Sequence, residues 1–481
     1  MKDTIKKIKE AIRATGFENK VYIAGGYVRD TIMGRESNDL DLVVELHNGG
    51  IGLANYLHKH FKTSKPVIFP KFGTAQIVLD GKDIEMVMSR KETYDFKGRK
   101  PVVEFGSIKD DISRRDFTIN SILYNISTEE YVDLMGGKGD VVSCVIKTTA
   151  DPYIIFAEDP LRILRAVRFA AQLGFVIEPK TLKAITKFVP WLKNISNERI
   201  RDEFNKILMS RCWEHGLALL RQTGILEYME PEFGNLYKIT EQGKWHYRKD
   251  AWTHTMDVIR NIKPTLEHRL AALFHDIGKG KTYTEDKTGI HFFGHQFVSQ
   301  RVTKNFMRRY KYTTEQIEWV SNSVMMHMNF LDQMLDKTIR KMVNKYGKDQ
   351  FLFFTDLGLA DSKRPERKES IQRIIHFVHT DDYVPEVPMK LPIDGNMIME
   401  ELEMKAGKQV GELLAIEKNY LFEYPEASLD DLWVVLYCGR GLQRNGDTEV
   451  CKEIVVKYTA LHGTPLSYDD HIKPFATAEK I

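Results

Sequence analysis

Two aspartates in the pattern Asp39-Leu40-Asp41 lie shortly after the stretch Gly25-Gly26-Tyr27-Val28-Arg29-Asp30. The apolar run Val21-Tyr22-Ile23-Ala24 before the glycines reads as a strand, and the segment after them as a short helix. The acid-bearing run reads as a second strand. Glycine just after a strand lets backbone N–H groups approach a phosphate, and a helix N-terminus adds a favourable partial charge. Strand alternation places Asp39 and Asp41 on one face. Two carboxylates opposite a phosphate cradle suit Mg²⁺ bridging to a triphosphate, the arrangement that nucleotidyl transfer requires. Alone, Asp-x-Asp is usually a solvated strand edge and Gly-Gly an ordinary turn. Their union in one strand–turn–helix–strand unit, with Arg29 and Asp30 at the helix start, is what points to chemistry.

Further residues extend this reading. Glu85 stands in the strand-like run Asp83-Ile84-Glu85-Met86-Val87-Met88. As a third acid it would complete a cluster able to hold two Mg²⁺ and activate a 3′-hydroxyl; as an edge residue it would only be solvated. In Asp110-Asp111-Ile112-Ser113-Arg114-Arg115-Asp116-Phe117-Thr118-Ile119-Asn120, paired arginines followed by Asp116, Thr118 and Asn120 can bind triphosphate oxygens bidentately and hydrogen-bond a ribose. An unspecialised Arg-Arg-Asp is a solvated helix face.

Glu158-Asp159-Pro160-Leu161-Arg162 reads as the opening of a helix that continues to Phe169, with Asp159 and Arg162 neighbours on its surface. A carboxylate beside a guanidinium accepts one hydrogen bond and donates another. Cytosine and adenine each offer an exocyclic amine next to a ring acceptor and match that order. Guanine and uracil reverse it, at roughly 1–3 kcal/mol per buried group left unpaired. Arg165 extends the set toward the phosphates, whereas Arg168 falls on the far side of the helix, for packing or RNA. The competing reading is an ordinary intrahelical salt bridge.

Histidines gather farther along. His254 lies on a helical run, His275-Asp276 closes another, and His295, His327 and Asp361 follow. Imidazoles and carboxylates in this number suit one divalent cation or two.

The head block resembles the DNA polymerase beta-type nucleotidyltransferases, and more narrowly the bacterial class II branch holding CCA-adding enzymes and poly(A) polymerases. Arg114-Arg115-Asp116-Phe117-Thr118-Ile119-Asn120 is similar to that family's second head motif, with Ser121 where alanine is usual. Glu158-Asp159-x-x-Arg162 resembles its nucleobase-recognition motif, and Glu198 to Phe204 a helical brace with internally paired charges. The run Tyr131 to Gly137 resembles the hinge between head and neck. The run Arg90 to Pro101 resembles a flexible loop that switches the site from C to A addition. His254, His275, Asp276 and Asp361 match the main metal ligands of the HD phosphohydrolases, and His295 and His327 a second-metal pair, with Gln296 where Glu is frequent. The tail from Leu391 to Gly411 resembles an RNA-contacting segment.

The resemblance implies Asp39, Asp41 and Glu85 as catalytic acids, with Asp39 and Asp41 holding Mg²⁺. It implies Gly25, Gly26, Arg29, Arg114, Arg115, Asp116, Asn120, Asp159, Arg162 and Arg165 around the nucleotide. The implied partners are a tRNA 3′ end, CTP and ATP, with no DNA and no membrane, and a second divalent metal in the HD domain. The expected activity is template-independent CCA addition, with HD hydrolysis of a phosphoester on RNA ends beside it. The alternatives are a poly(A) polymerase or CC-adding enzyme, or an HD phosphohydrolase whose head only binds RNA.

The elements needed to position these groups are legible in outline. Mixed strand and helix signals to about residue 145 give an α/β head, polymerase beta-like; beyond Asp151 the periodicity is helical, giving a multidomain chain. The expected parts are a nucleotidyltransferase head over 1–145, an all-α neck over 146–240, an HD domain over 241–384 and a C-terminal helical region over 385–481. The linkers expected are the polar run from Gly243 to Asp250 and the prolines at Pro385 and Pro388. A chain of 481 residues exceeds one ordinary core. A formal net charge of +3 makes any RNA surface a matter of local patches. Cys144, Cys212, Cys438 and Cys451 lie far apart, read as buried small residues, and suit a reducing, cytoplasmic setting. The spaced Ile5, Ile8 and Ile12 read as one face of an amphipathic helix, with no apolar run long enough to span a membrane.

Overall fold

The computed structural model describes residues 1–37, 39–93, 102–239, 250–330, 334–380, 391–424 and 427–445, with 452, 455 and 456. The expected linkers at 243–249 and 384–388, most of the loop at 94–101, and Cys451 lie outside the described residues. The chain forms two compact units, Met1–Met325 and Met326–Ile481.

The first unit opens with the helix Lys2–Ile12, whose Ile8 and Ile12 are buried. Nine strands follow: β1 (Val21–Ala24), β2 (Leu40–Val44), β3 (Val67–Phe69), β4 (Thr74–Leu79), β5 (Lys82–Met88), β6 (Arg90–Thr93), β7 (Val102–Phe105), β8 (Leu123–Asn125) and β9 (Tyr131–Val132). Seven of them form one sheet in the order β3-β4-β5-β2-β1-β8-β9, and β6 pairs with β7 as a separate ribbon. Only β2 and β5 run parallel within the seven. Alternation buries Leu42, Val44, Ile84 and Met86 beside the helix Gly49–His60. That leaves the intervening acids Asp41 and Glu85 on the other face. Helix and sheet approach closely at Gly50, where an added Cβ would meet the Met86 carbonyl oxygen and lie 2.6 Å from that of Gly73.

The helices Arg162–Leu173, Asn197–Leu208 and Trp213–Gln222 pack on one another after the head. The helices Ala251–Asn261, Leu266–Phe274 and His295–Arg309 follow, joined to them by Phe204 against Phe306 at 6.0 Å and by Tyr312 donating to Asn205 at 2.6 Å. Two short features escaped the helical reading: the pair Val145–Ile146 with Val176–Ile177, and the hairpin Thr284–Asp286 with Gly289–His291. Strands this short carry no readable period. Cys144, expected to be buried, is exposed and sits in a turn with φ +58°.

In the second unit the short turn His327–Phe330 is followed by the helices Asp336–Tyr346, Lys348–Asp361 and Pro365–His379. Its C-terminal helices Gly395–Glu401, Lys408–Glu423 and Leu429–Asn445 close over Ile393, Ile398, Leu413, Val435 and Leu436. Asp394 caps the first of these, accepting from the Asn396 and Met397 N–H groups. Among the described residues no helix is long and apolar enough to cross a membrane.

The close approach at Gly50 gives a stability prediction. Gly50→Ala forces the helix off β5 and is expected to cost roughly 1–3 kcal/mol in chemical denaturation. Gly52→Ala, where a Cβ meets only Phe17 at 3.5 Å, is the near-neutral control.

Candidate active site and metal centre

Asp41 on β2 stands directly opposite Glu85 on β5, and Ala24 on β1 opposite Asp41. Directly paired residues share a face, so the parallel pairing brings together two acids from distant parts of the sequence. Asp39 lies just before β2 and is exposed. Asp41 is exposed, yet the protein atoms crowded around it weaken the hydration of its carboxylate. That desolvation, with repulsion from Glu85 and Asp39, pushes its pKa up to about 6 against the pull of Arg115. Gly25, at the end of β1, has φ +68°, and a Cβ there would lie 3.3 Å from Asp41 Oδ2. Glycine thus serves both backbone conformation and close approach. Gly26 opens the helix Gly26–Ile32 beside it. Converging carboxylates of this kind are an oxygen donor set suited to a hard divalent cation.

The positive side is anchored by a residue that sequence reasoning did not single out. Asp111 is fully buried, and Arg114 and Arg115 both donate to it, Arg115 through Nε and Nη2 at 3.1 and 2.9 Å. Burial alone would raise its pKa, but the two guanidiniums outweigh burial and hold the carboxyl below the usual range. The available signal was spacing: Asp111 lies three and four residues before the arginines, which follow directly on the end of its helix, Ile108–Ser113.

Asp116 is likewise buried and holds Arg165 at 2.6 Å. Burial opposes its charge, and Arg165 overcomes that opposition and keeps it ionised. Arg29 is buried too, donating to Asp30 at 2.8 Å and to Asn120 Oδ1 at 2.9 Å. A second unforeseen residue is Phe169, whose ring lies within 4.1–5.6 Å of the guanidiniums of Arg29, Arg165 and Arg168. It also meets Phe117 edge-on at 5.8 Å, locking the head to the helix Arg162–Leu173.

The expectation of one helix running through Glu158 to Phe169 is corrected. One helix ends at Glu158, Asp159 is extended at φ −141°, and the next helix begins at Arg162. Pro160 accounts for the break, because the residue before a proline is driven out of the helical region. Asp159 and Arg162 are therefore not stacked on one helix surface. Asp159 accepts from the Leu161 N–H and pairs with Arg199 at 3.0 Å. Arg162 is buried, with three of its N–H groups given to Glu158 and to the carbonyls of Ile155 and Arg114. Arg168 pairs with Glu203 at 2.6 Å, so the helix Asn197–Leu208 braces its neighbour through an internal ion pair.

In the histidine cluster, His254 comes from Ala251–Asn261, His275 and Asp276 follow Leu266–Phe274, and His295 opens His295–Arg309. His275 Nδ1 lies 2.8 Å from the Ala272 carbonyl and His295 Nδ1 2.9 Å from that of Phe292. A carbonyl only accepts, so each Nδ1 carries the proton and each Nε2 is left as a ligand atom. These atoms face Asp276, at 3.1 Å from His275 and 3.3 Å from His295, and His254 Nε2 lies 3.3 Å from His275 Nε2. Ligand atoms of His254, His275 and Asp276 all lie within 4.8 Å of one another. This buried nitrogen and oxygen set fits a borderline divalent cation. Lys279 Nζ stands 2.7 Å from Asp276. Burial opposes the Asp276 charge, yet His275 and Lys279 hold its pKa well below the usual range. In the second unit, His327 opens the short turn His327–Phe330 and Asp361 ends Lys348–Asp361. Arg367 bridges them, donating to the Asp361 carboxylate and the His327 carbonyl.

Three family models match the chain: the Poly A polymerase head domain over residues 21–147, the probable RNA and SrmB-binding site of polymerase A over 174–236, and the HD domain over 252–375. Among curated relatives, a CCA-adding enzyme of Enterococcus faecalis is 36% identical over 51% of this chain and 57% of the relative. An A-adding tRNA nucleotidyltransferase of Aquifex aeolicus is 35% identical over 50% of this chain and 31% of the relative. The matches thus span about half or less of those relatives. The tRNA nucleotidyltransferase cca2 of Schizosaccharomyces pombe is 26% identical over 90% of this chain and 97% of its own length. The structure of Bacillus stearothermophilus CCA-adding enzyme in complex with CTP superimposes with a TM-score of 0.64, at 22% identity, over 93% of this chain and 99% of that one. The shared fold is a nucleotidyltransferase head followed by helical domains.

The crowded acids predict a pH signature. With a folded-state pKa above the ordinary 3.8, Asp41 favours the fold fully below about pH 4 and loses that contribution as pH rises through 6. Metal-free Asp41→Asn is therefore expected to melt above the unsubstituted protein at pH 7.5, with the difference vanishing near pH 4. Equal melting at both pH values would contradict the raised pKa of Asp41.

Proposed function

We propose that this chain, a member of the Poly A polymerase head-domain family with an RNA-binding segment and an HD domain, adds C, C and A to the 3′ end of tRNA from CTP and ATP in the cytoplasm. The observation that carries the reading is Asp41 set opposite Glu85 across β2 and β5, with the Arg114–Arg115 pair anchored beside it. A protein that merely bound RNA would gain nothing from packing like charges together.

Asp41, Glu85 and Asp39 would hold Mg²⁺, which when bound neutralises the triphosphate and lowers the pKa of the attacking 3′-hydroxyl. The Gly25 and Gly26 backbone and the arginine pair bind phosphate oxygens. Asp111 fixes the arginines before substrate arrives, so little ordering is left for the reaction itself. Asp159 accepts from the exocyclic amine of cytosine or adenine. Arg162, held by Glu158 and two carbonyls, donates to the ring nitrogen from a guanidinium that cannot swing away. A base with the reverse order leaves these groups unpaired.

The buried His254, His275, Asp276 and His295 cluster favours a second activity in the same chain. Those residues would hold a divalent cation that activates water against a phosphoester at an RNA end.

The test is nucleotide addition to tRNA lacking its 3′ terminus, with CTP alone, ATP alone, and both. Two residues with CTP and three with both are expected. Open-ended growth with ATP alone would make the chain a poly(A) polymerase, and two residues with both a CC-adding enzyme. No addition under any condition would leave only the hydrolytic reading.

A further inference from the structure

The row of residues holding the acids continues past Glu85. Gln76 on β4 lies directly opposite Glu85, and Val67 on β3 directly opposite Gln76. Asp41, Glu85, Gln76 and Val67 therefore line up across four strands on one face, and Phe69, two residues along β3, shares it. At about 4.8 Å per strand, β3 lies about 10 Å from Glu85.

Here the surface changes character. Val67 is 54% exposed, Phe69 47% and Phe72 44%. Lys65 and Lys71 are exposed among them. An open cavity of about 350 Å³ joins this patch to Glu85, lined by Phe69, Phe72, Thr74, Gln76, Glu85 and Arg90. The turn carrying the rings is stiff. Pro70 opens a single 3-10 turn over Pro70–Phe72, Gly73 is left-handed at φ +58°, and the Gly73 carbonyl accepts from the Met88 N–H at 3.1 Å. A Cβ on Gly73 would lie 3.0 Å from the Met88 side chain. Two phenyl rings are thus held toward water by a rigid turn, where they contribute little to the core. A contiguous apolar patch of this kind marks a binding site.

We propose that Phe69 and Phe72 form a stacking shelf for the unpaired bases at the 3′ end of the RNA primer, placing the terminal hydroxyl at Asp41 and Glu85. The proposal rests on the head being the transferase. The shelf shares its cavity with Glu85, so its occupant is continuous with the reacting group. A base lies several ångströms from its own 3′-oxygen, and the preceding base one stacking step beyond. With the 3′-oxygen at the acids, the last bases reach β3. Aromatic faces interleaved with cations match single-stranded nucleic acid, because every base has a π-face and every linkage a negative charge. Such a shelf is indifferent to base identity, as a primer that ends differently after each addition requires.

The experiment uses the full chain and a tRNA whose last unpaired nucleotide is 2-aminopurine. The double variant Phe69→Leu/Phe72→Leu keeps apolar bulk and removes the π-faces; Phe69→Tyr/Phe72→Tyr restores them. The unsubstituted protein is expected to change the probe's fluorescence on binding without any nucleotide, the leucine variant to lose that change, and the tyrosine variant to keep it. In addition assays the leucine variant should raise KM for tRNA roughly tenfold with KM for CTP unchanged. Loss of the fluorescence change supports the shelf even if no nucleotide is added, so the shelf and the transferase reading fail separately. Unaltered fluorescence in the leucine variant overturns the shelf and leaves the patch to a protein partner. Equal rises in KM for tRNA and CTP also overturn it, assigning the rings to the shape of the head.

Discussion

Like charges held side by side by a backbone register organise the head of this molecule. Parallel pairing of β2 and β5 fixes Asp41 opposite Glu85, and their backbones cannot move apart without breaking the sheet. The surroundings serve that placement. Gly50 lets a helix press on the strand that bears Glu85, and Gly25 brings the first turn against Asp41 without a side chain between them. Repulsion of this kind lowers stability in isolation and becomes useful only when a cation enters, so the site reads as a stability cost retained for chemistry.

The positive half is built by opposite logic. Asp111 and Asp116 are buried carboxylates whose burial would make them neutral were they alone, and each is kept charged by arginines. Removing one partner of such a buried pair typically costs about 3–5 kcal/mol, so the arginines are fixed in place rather than merely attracted there. Phe169 packs against three guanidiniums and against Phe117, so the head and the helix Arg162–Leu173 share one joint. Arg29, Asp116 and Phe117 of the head and Arg165 and Phe169 of the helix are thereby held in one frame.

Much of this was legible in the sequence, because local periodicity and turn chemistry carry it. The strands bearing Asp41 and Glu85, the glycine turn and the His275-Asp276 helix end follow from alternation and capping. Pairing is another matter. That Glu85 faces Asp41 depends on a strand order mixing distant segments, for which one chain offers no local signal. The break at Asp159 was readable from Pro160 but was outweighed by the apolar run on either side. Asp111 escaped because its partners follow it by three and four residues, a spacing that ordinary surface ion pairs share. The hairpin at Thr284–Asp286 and the exposed turn at Cys144 are set by tertiary context over too few residues to show a period.

If Asp41 and Glu85 form one cation site, their mutual repulsion is relieved only when metal binds. The most direct test is a Mn²⁺ titration followed by electron paramagnetic resonance, with the HD cluster removed by His254→Ala/Asp276→Ala so that only the head is read. One pH-dependent class of head sites is expected, weakening below about pH 6 as protons compete for Asp41 and disappearing in Glu85→Gln. Binding independent of pH, or untouched by the loss of Glu85, would contradict it.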